Sequence, residues 1–322
     1  MAEIETNEMS KAANGGTEQM SAKLLKYVDH DLLDKFQIIP SRVREINPDK
    51  FRILWLHNLA GDPEYAHLKD SRSRDRFSKI VFCGHHQRDM YEAILGVPRD
   101  DKSRVIETAI EQIPYIEKSK DSIRIIYTST PQRGLQILVP VFKALADRHP
   151  DWNLHLDVFS SFKIYGWDDT DKQFEPLYDE CRNHPNITYH GFSPKETVIE
   201  HIQKAHIFGF PSIWPECNSQ ALIEAMSGGL MCIHSDLGGN ADTSGGLTLQ
   251  YPFVQDMNQH AQVFYSLLEQ ACSNIHSDDT QNYLRFVKQY ADVRFSIQKF
   301  ASLWTDMLQD VVRENGPREF IL

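Results

Sequence analysis

The sequence predicts an α/β protein made of two Rossmann-like halves followed by a helical tail. Three observations predict it. Strand-like apolar runs alternate with amphipathic helical segments through most of the 322-residue chain, the pattern of a parallel sheet with helical crossovers. The alternation is interrupted by the polar stretch 117–122 and then begins again. From about 257 onward the periodicity is helical only. A chain of this length can bury a substantial core and suits one large domain or two of ordinary size.

Taken in order, the first helix is expected from Thr17 to Tyr27, because Met20, Leu24 and Val28 share one face. Strands follow at 36–39, 52–57, 79–83 and 104–107, with a further short one near 4–8. The stretch 117–122 reads as a linker. The second series places strands at 123–128, 154–159, 186–190, 207–210 and 230–233, and helices at 134–147, 171–183, 195–204 and 219–227. Helices near 257–273, 279–291 and 296–314 close the chain. The expected domains are therefore 1–116, 117–295 and a terminal helical segment 296–322. Ligands in such sheets sit at the carboxyl ends of the strands.

Composition narrows the function. Apolar residues make up 41% and charged residues 25%, as in ordinary folded proteins, and the formal charge is −11. That charge argues against nucleic-acid binding, which needs a basic footprint, and against docking on acidic lipid. The local cluster Arg72, Arg74, Arg76 and Lys79 reads as a solvated helix face. No run approaches the roughly 20 apolar residues that cross a bilayer, and the first residues lack the apolar segment of a signal peptide. The five cysteines are scattered without C-x-x-C spacing, so reduced thiols in a cytoplasmic protein are expected and no zinc site.

The segment 211–229, PSIWPECNSQALIEAMSGG, is the most informative. A strand ends at Phe210, a proline-rich turn follows, and a helix begins near Ser219 with Ala221, Leu222, Ala225 and Met226 on its buried face. Free backbone N–H groups around Asn218, Ser219 and Gln220 make that helix start an anion site. Glu216 precedes the helix and Glu224 lies within it. Each has an ordinary explanation as well: Glu216 as a charge complementing the helix dipole, Glu224 as a solvated helix residue. A second segment, 127–135 (YTSTPQRGL), joins a strand to a helix striped with Leu135, Leu138, Val139, Phe142 and Leu145. Arg133 stands at the start of that helix, where the dipole disfavours a cation. A bound diphosphate would reverse the penalty; a solvated Arg without a ligand is the alternative.

The spacing Pro211-Ser212 … Glu216-x7-Glu224-Ala225-Met226 … Gly228 resembles the E-x7-E signature of retaining GT-B glycosyltransferases of the family 4 type, the glycosyl transferases group 1. The resemblance covers most of the second half. It implies two Rossmann-like domains facing a cleft, with the last helix crossing back to the first domain. It also implies transfer of a sugar from a nucleotide diphosphate sugar (UDP- or GDP-linked) to a hydroxyl acceptor such as a glycan, with retention and with neither cofactor nor metal.

In that family the first glutamate, here Glu216, lies beside the transferred sugar, and the second, Glu224, binds the ribose hydroxyls. A basic residue before glycine binds the diphosphate, and Arg133-Gly134 matches it. Three departures stand out. Gly-Phe-Gly after the first glutamate is replaced by Cys217-Asn218-Ser219, and a further Arg on the loop before Arg133 is replaced by Ser129 or Thr130. The family's turn Asn-Gly after the last first-domain strand is replaced by Glu107-Thr108-Ala109.

Other candidates are weighed against the same resemblance. Asn14-Gly15-Gly16-Thr17 precedes a helix and is common turn chemistry; it also resembles the family's glycine-rich loop, which implies donor contact by Gly15 and Gly16. His57 ends a strand, where reactive groups sit in α/β sheets, and the family carries a histidine there near the sugar. His85 and His86 follow another strand; a lone histidine is more often a structural hydrogen-bonder than a catalyst. His190-Gly191-Phe192 falls where the family wraps the base, implying contacts from Gly191 and Phe192. The D-x-D spacing in 168–171 is expected to cap a helix rather than hold a metal. A non-catalytic sugar-nucleotide scaffold of the same fold is the alternative function. A nicotinamide oxidoreductase is disfavoured because G-x-G-x-x-G is absent.

Overall fold

A computed structural model describes residues 13–316. The strand expected near 4–8 lies outside the described residues. The chain divides into two compact units, residues 1–109 with 295–322, and residues 110–294.

Unit 1 carries four parallel strands in the order β1-β2-β3-β4: β1 (Phe36–Pro40), β2 (Phe51–Leu56), β3 (Lys79–Phe82) and β4 (Ser103–Val105). Side chains on a strand alternate between faces, and both faces here are apolar. Phe36, Ile38, Ile53, Trp55 and Val81 lie in one cluster, while Ile39, Leu54, Leu56, Ile80 and Phe82 lie in another.

The first cluster is covered by the helix Gly16–Tyr27, through Met20 and Leu24, and by the terminal helix Ile297–Asn315, through Phe300, Trp304, Leu308 and Val311. The second is covered by the helix His85–Leu95, which the sequence reading did not assign, through Tyr91 and Leu95. The terminal helix thus completes the core of the unit that contains the first helix. The basic residues 72–79 do not form one helical face: Ser71–Arg74 is a single turn, and Lys79 is buried on β3 with its ammonium donating to the Asp101 carbonyl.

Unit 2 carries six parallel strands in the order β10-β9-β8-β5-β6-β7. These are β5 (Ile123–Tyr127), β6 (Leu154–Val158), β7 (Ile187–Tyr189), β8 (Ile207–Phe210), β9 (Met231–Ser235) and β10 (Leu249–Tyr251). The last, a three-residue edge, was not expected; so short a run carries too little periodicity to read. Because β6 and β7 extend one way from β5 and β8–β10 the other, the chain reverses direction across the sheet between β5 and β8. Crevices at such reversals, beyond the strands' carboxyl ends, are where open α/β sheets bind ligands.

The stretch from 110 belongs to unit 2 and is not a free tether. Ile113 N donates to Ser227 Oγ at 3.1 Å, and Gln203 Nε2 to the Pro114 carbonyl at 2.9 Å. Lys118 sends its ammonium to the carbonyls of Gln203, Ala205 and Gly228. These bonds satisfy carbonyls at the ends of two helices, so the division falls after Ala109 rather than after 116. Among the described residues no helix is long and apolar enough to cross a membrane.

Candidate functional site

The loops that leave β5 and β8 are neighbours because their strands are. Ile213 N donates to the Arg133 carbonyl at 3.3 Å. Gly134, at φ +133°, packs so closely that a Cβ there would stand 2.3 Å from the Pro211 carbonyl oxygen. Only glycine adopts that backbone without strain and leaves the space.

This contact delivers Arg133 to Glu216: Nη1 and Oε1 are 2.7 Å apart, and Nη2 donates to the Tyr165 hydroxyl at 3.3 Å. Burial pushes the Glu216 carboxyl above its ordinary pKa, and the Arg133 guanidinium opposes that rise without cancelling it. Burial works against the charge on Arg133, but Glu216, Tyr165, Tyr127 and Cys217 together overcome it and raise the guanidinium pKa above its ordinary value. In the segments that follow β5 and β6, the buried Oγ1 atoms of Thr128 and Thr130, Oγ of Ser160 and Nε of Arg133 have no hydrogen-bond partner. Buried polar atoms are rarely left in that state without a role.

Glu216 is also fixed from its far side. Its backbone bridges Gly238, and its carbonyl accepts from Gly239 N at 2.6 Å. A Cβ at Gly238 would come within 2.5 Å of Glu216 N. Ser219 caps the helix Gln220–Ser227 by accepting from Leu222 N at 3.4 Å, and Asn218 Nδ2 donates to Thr243 Oγ1 at 3.0 Å. Glu224 is buried rather than solvated, so the ordinary explanation fails for it. Its Oε1 accepts from Lys195 Nζ at 2.5 Å and from Gln220 Nε2 at 2.7 Å.

The structure therefore brings Arg133, Glu216, Asn218, Ser219 and Glu224 onto two facing loops and one short helix. Thr130 is buried in the same loop and Ser129 is half-buried beside it. Gly191 takes φ +63° in the turn after β7, and Phe192 beside it is 46% exposed.

In unit 1, Gly15 precedes the first helix as a buried N-cap without a side-chain cap bond, and Gly16 begins it. His57 follows β2, its ring 4.5 Å from that of Trp55, and desolvation lowers its pKa to about 3, so it is neutral near pH 7. His85 and His86 open the helix His85–Leu95, the first exposed and the second half-buried.

The acidic stretch 168–171 is not a helix cap. It forms a short helix of its own whose N-cap is Trp167. Asp169 faces solvent while Asp171 is buried, accepting from Ser161 Oγ at 2.5 Å, Phe162 N at 2.8 Å and Tyr178 Oη at 2.7 Å. The two carboxylates of the D-x-D spacing thus face different surroundings.

Tyr165 and Lys195 are partners that sequence reading missed. Lys195 had the signal that marked Arg133, a cation in the first turn of a helix, against the dipole.

Residues 107–246 match the family model described as glycosyl transferases group 1. No curated protein matches this sequence significantly. A glycosyltransferase from Rickettsia africae superposes with TM-score 0.68 at 12% identity, covering 95% of this chain and 84% of its own. A sucrose-phosphate synthase from Thermosynechococcus elongatus gives 0.64 at 14% identity, with 87% and 74% covered. An Anabaena protein in complex with UDP-glucose gives 0.61 at 14% identity, with 81% and 72% covered. Two parallel-sheet units and these likenesses establish a GT-B fold, within which residues 107–246 resemble the glycosyl transferases group 1.

Proposed function

We propose that this protein is a retaining glycosyltransferase that moves a sugar from a UDP- or GDP-linked donor to a hydroxyl acceptor such as a glycan, without a metal ion on the diphosphate. The observation that carries the reading is the Arg133–Glu216 pair at the sheet's reversal point, with buried hydroxyls that lack partners in the segments leaving β5 and β6. A donor diphosphate supplies acceptors for those hydroxyls and for Arg133 Nε, and Arg133 forks onto phosphate oxygens. Backbone N–H groups at the start of Gln220–Ser227 add positive potential where charge develops on the leaving group.

Glu216 then positions the transferred sugar. It is not assigned as a nucleophile, because one carboxylate beside the sugar does not make the flanking pair of a glycosidase. Glu224, held by Lys195 and Gln220, accepts hydrogen bonds from the ribose hydroxyls, and the turn at Gly191 and Phe192 contacts the base. For Gly15, Gly16, His57 and His85 the resemblance alone supplies a role toward the donor.

The test is thermal stabilisation of the purified protein by UDP-, GDP-, ADP- and CMP-sugars with chelator present. The reading expects a shift with one nucleotide class that disappears in Glu224→Gln and Arg133→Ala, and donor hydrolysis without acceptor. No shift at millimolar donor overturns it. A shift with neither hydrolysis nor transfer identifies a non-catalytic sugar-nucleotide binder.

A further inference from the structure

A second polar cluster lies at the ends of β6 and β7, next to the turn assigned to the base but made of residues given no role toward the donor. Asp157 is on β6, His190 just past β7, and His201 on the helix Lys195–Lys204. Their ligating atoms all lie within 4.8 Å of one another. Asp157 Oδ1 is 2.8 Å from His190 Nε2 and 3.2 Å from His201 Nδ1. Two ligands about 2.0–2.1 Å from a tetrahedral metal stand roughly 3.3 Å apart, so the two carboxylate–imidazole spacings need to open by only a few tenths of an ångström.

The cluster is built rather than incidental. The Asp157 side chain is 3% exposed, and its second oxygen is held by Arg124 Nη1 at 3.3 Å, which leaves Oδ1 toward the imidazoles. His201 Nδ1 is buried and makes no well-formed hydrogen bond despite its nearness to the carboxylate. The Phe159 ring lies flat on His190, centroids 4.2 Å apart and planes within 3°, and meets His201 edge-on at 5.1 Å. That wall sets both ring planes, the kind of support that orients metal ligands.

We propose that Asp157, His190 and His201 form a mononuclear divalent-cation site of the zinc class, with the fourth position left to water. Two imidazole nitrogens and one carboxylate oxygen suit zinc, and do not suit magnesium or calcium, which prefer all-oxygen shells. The ion joins the end of β6, the turn after β7 and the helix whose first residue, Lys195, holds Glu224. Arg124, and Lys204 near His201, oppose a cation, while His155 Nε2, 3.9 Å from Asp157 Oδ1 and paired with Thr188, stands close by. The competing occupant is a proton, which would make an imidazolium–carboxylate pair of the same residues.

The test uses the full chain, stripped with chelator, titrated with Zn2+ by calorimetry and with Co2+ by visible absorption. Expected are one equivalent bound and a d–d absorption band. The thermal midpoint should rise by about 5–10 °C at free Zn2+ a hundred times the dissociation constant. His201→Gln should weaken binding at least about tenfold, abolish the Co2+ band and remove the shift, whereas the exposed His30→Gln should change none of them. If His201→Gln does not fold in chelator, by its circular dichroism, His190→Gln takes its place. The proposal fails if no one-equivalent binding occurs, the proton being then the occupant. It also fails if binding is undiminished in both Asp157→Asn and the histidine variant, the ion being then adventitious elsewhere.

Discussion

Arg133 Nη1 lies 2.7 Å from Glu216 Oε1, across two loops that adjacent strands β5 and β8 deliver to one end of their sheet. The pair is mostly buried, with side chains 23% and 10% exposed. Removing one member of such a pair strands the other charge away from water.

Arg133→Ala is therefore expected to destabilise the protein by about 3 kcal/mol, measured by urea denaturation at pH 7. Glu216→Gln should cost less, because the amide oxygen still accepts from the guanidinium, yet lower transfer turnover on the order of 100-fold. Equal stability losses, or full activity in Glu216→Gln, would contradict the roles assigned.

Glu224 offers a buried, charged acceptor next to Lys195 and Gln220. A hydrogen bond to a charged group contributes about 1.5–3 kcal/mol. The wild type should then bind a ribonucleotide roughly tenfold or more tightly than its 2′-deoxy analogue. Glu224→Gln should lose most of that preference. Calorimetry with the paired nucleotides checks it, and a preference retained in the variant sinks the ribose assignment.

Gly134 tests the loop contact itself. Its φ is +133°, and a methyl group added at its Cα would stand 2.3 Å from the Pro211 carbonyl oxygen, which leaves no room for alanine. Gly134→Ala should destabilise by about 3 kcal/mol or more and impair donor binding even where the fold survives, seen in denaturation midpoints and nucleotide titration.

Buried histidines set an acid limit on stability. Burial lowers the pKa of His206 and of His234 to about 4, from an ordinary value near 6.5. Below 6.5 the unfolded chain takes up protons that the folded chain refuses. The stabilisation is thus complete above pH 6.5 and is lost as pH falls toward 4. Each histidine adds up to about 1.4 kcal/mol per pH unit to the slope in that window. Denaturation from pH 7 to 4 should show this, and His234→Gln should reduce the slope by up to one proton's worth.

Trp304 on the terminal helix is fully buried, its ring edge-on to Trp55 of β2 with centroids 4.8 Å apart. Trp304→Ala should cost about 3–5 kcal/mol. A folded, undiminished protein after that change would mean the helix is an accessory rather than part of the unit 1 core.

Much of this was legible beforehand. The strand and helix series is visible because apolar residues recur with periods that the backbone imposes locally, and the helix 195–204 is found where the sequence places it. The carboxylates Glu216 and Glu224 stood out through their spacing on one strand–turn–helix segment. The helix His85–Leu95 was missed because its apolar face is sparse: Gln87 is buried there, satisfied by the carbonyls of Leu56 and Asn58, where a hydrophobe would have signalled the period.

By itself, the sequence determined the α/β class, the order of most elements and the segment on which the carboxylates lie, because those depend on neighbours a few residues apart. Only the tertiary structure decided what faces what. Glu216 meets an arginine 83 residues earlier in the chain, and Asp157 meets two histidines 33 and 44 residues later. Those meetings depend on strand order, since β8 lies beside β5 rather than beyond β7. Strand order minimises the free energy of the whole sheet, so no local pattern of residues encodes it.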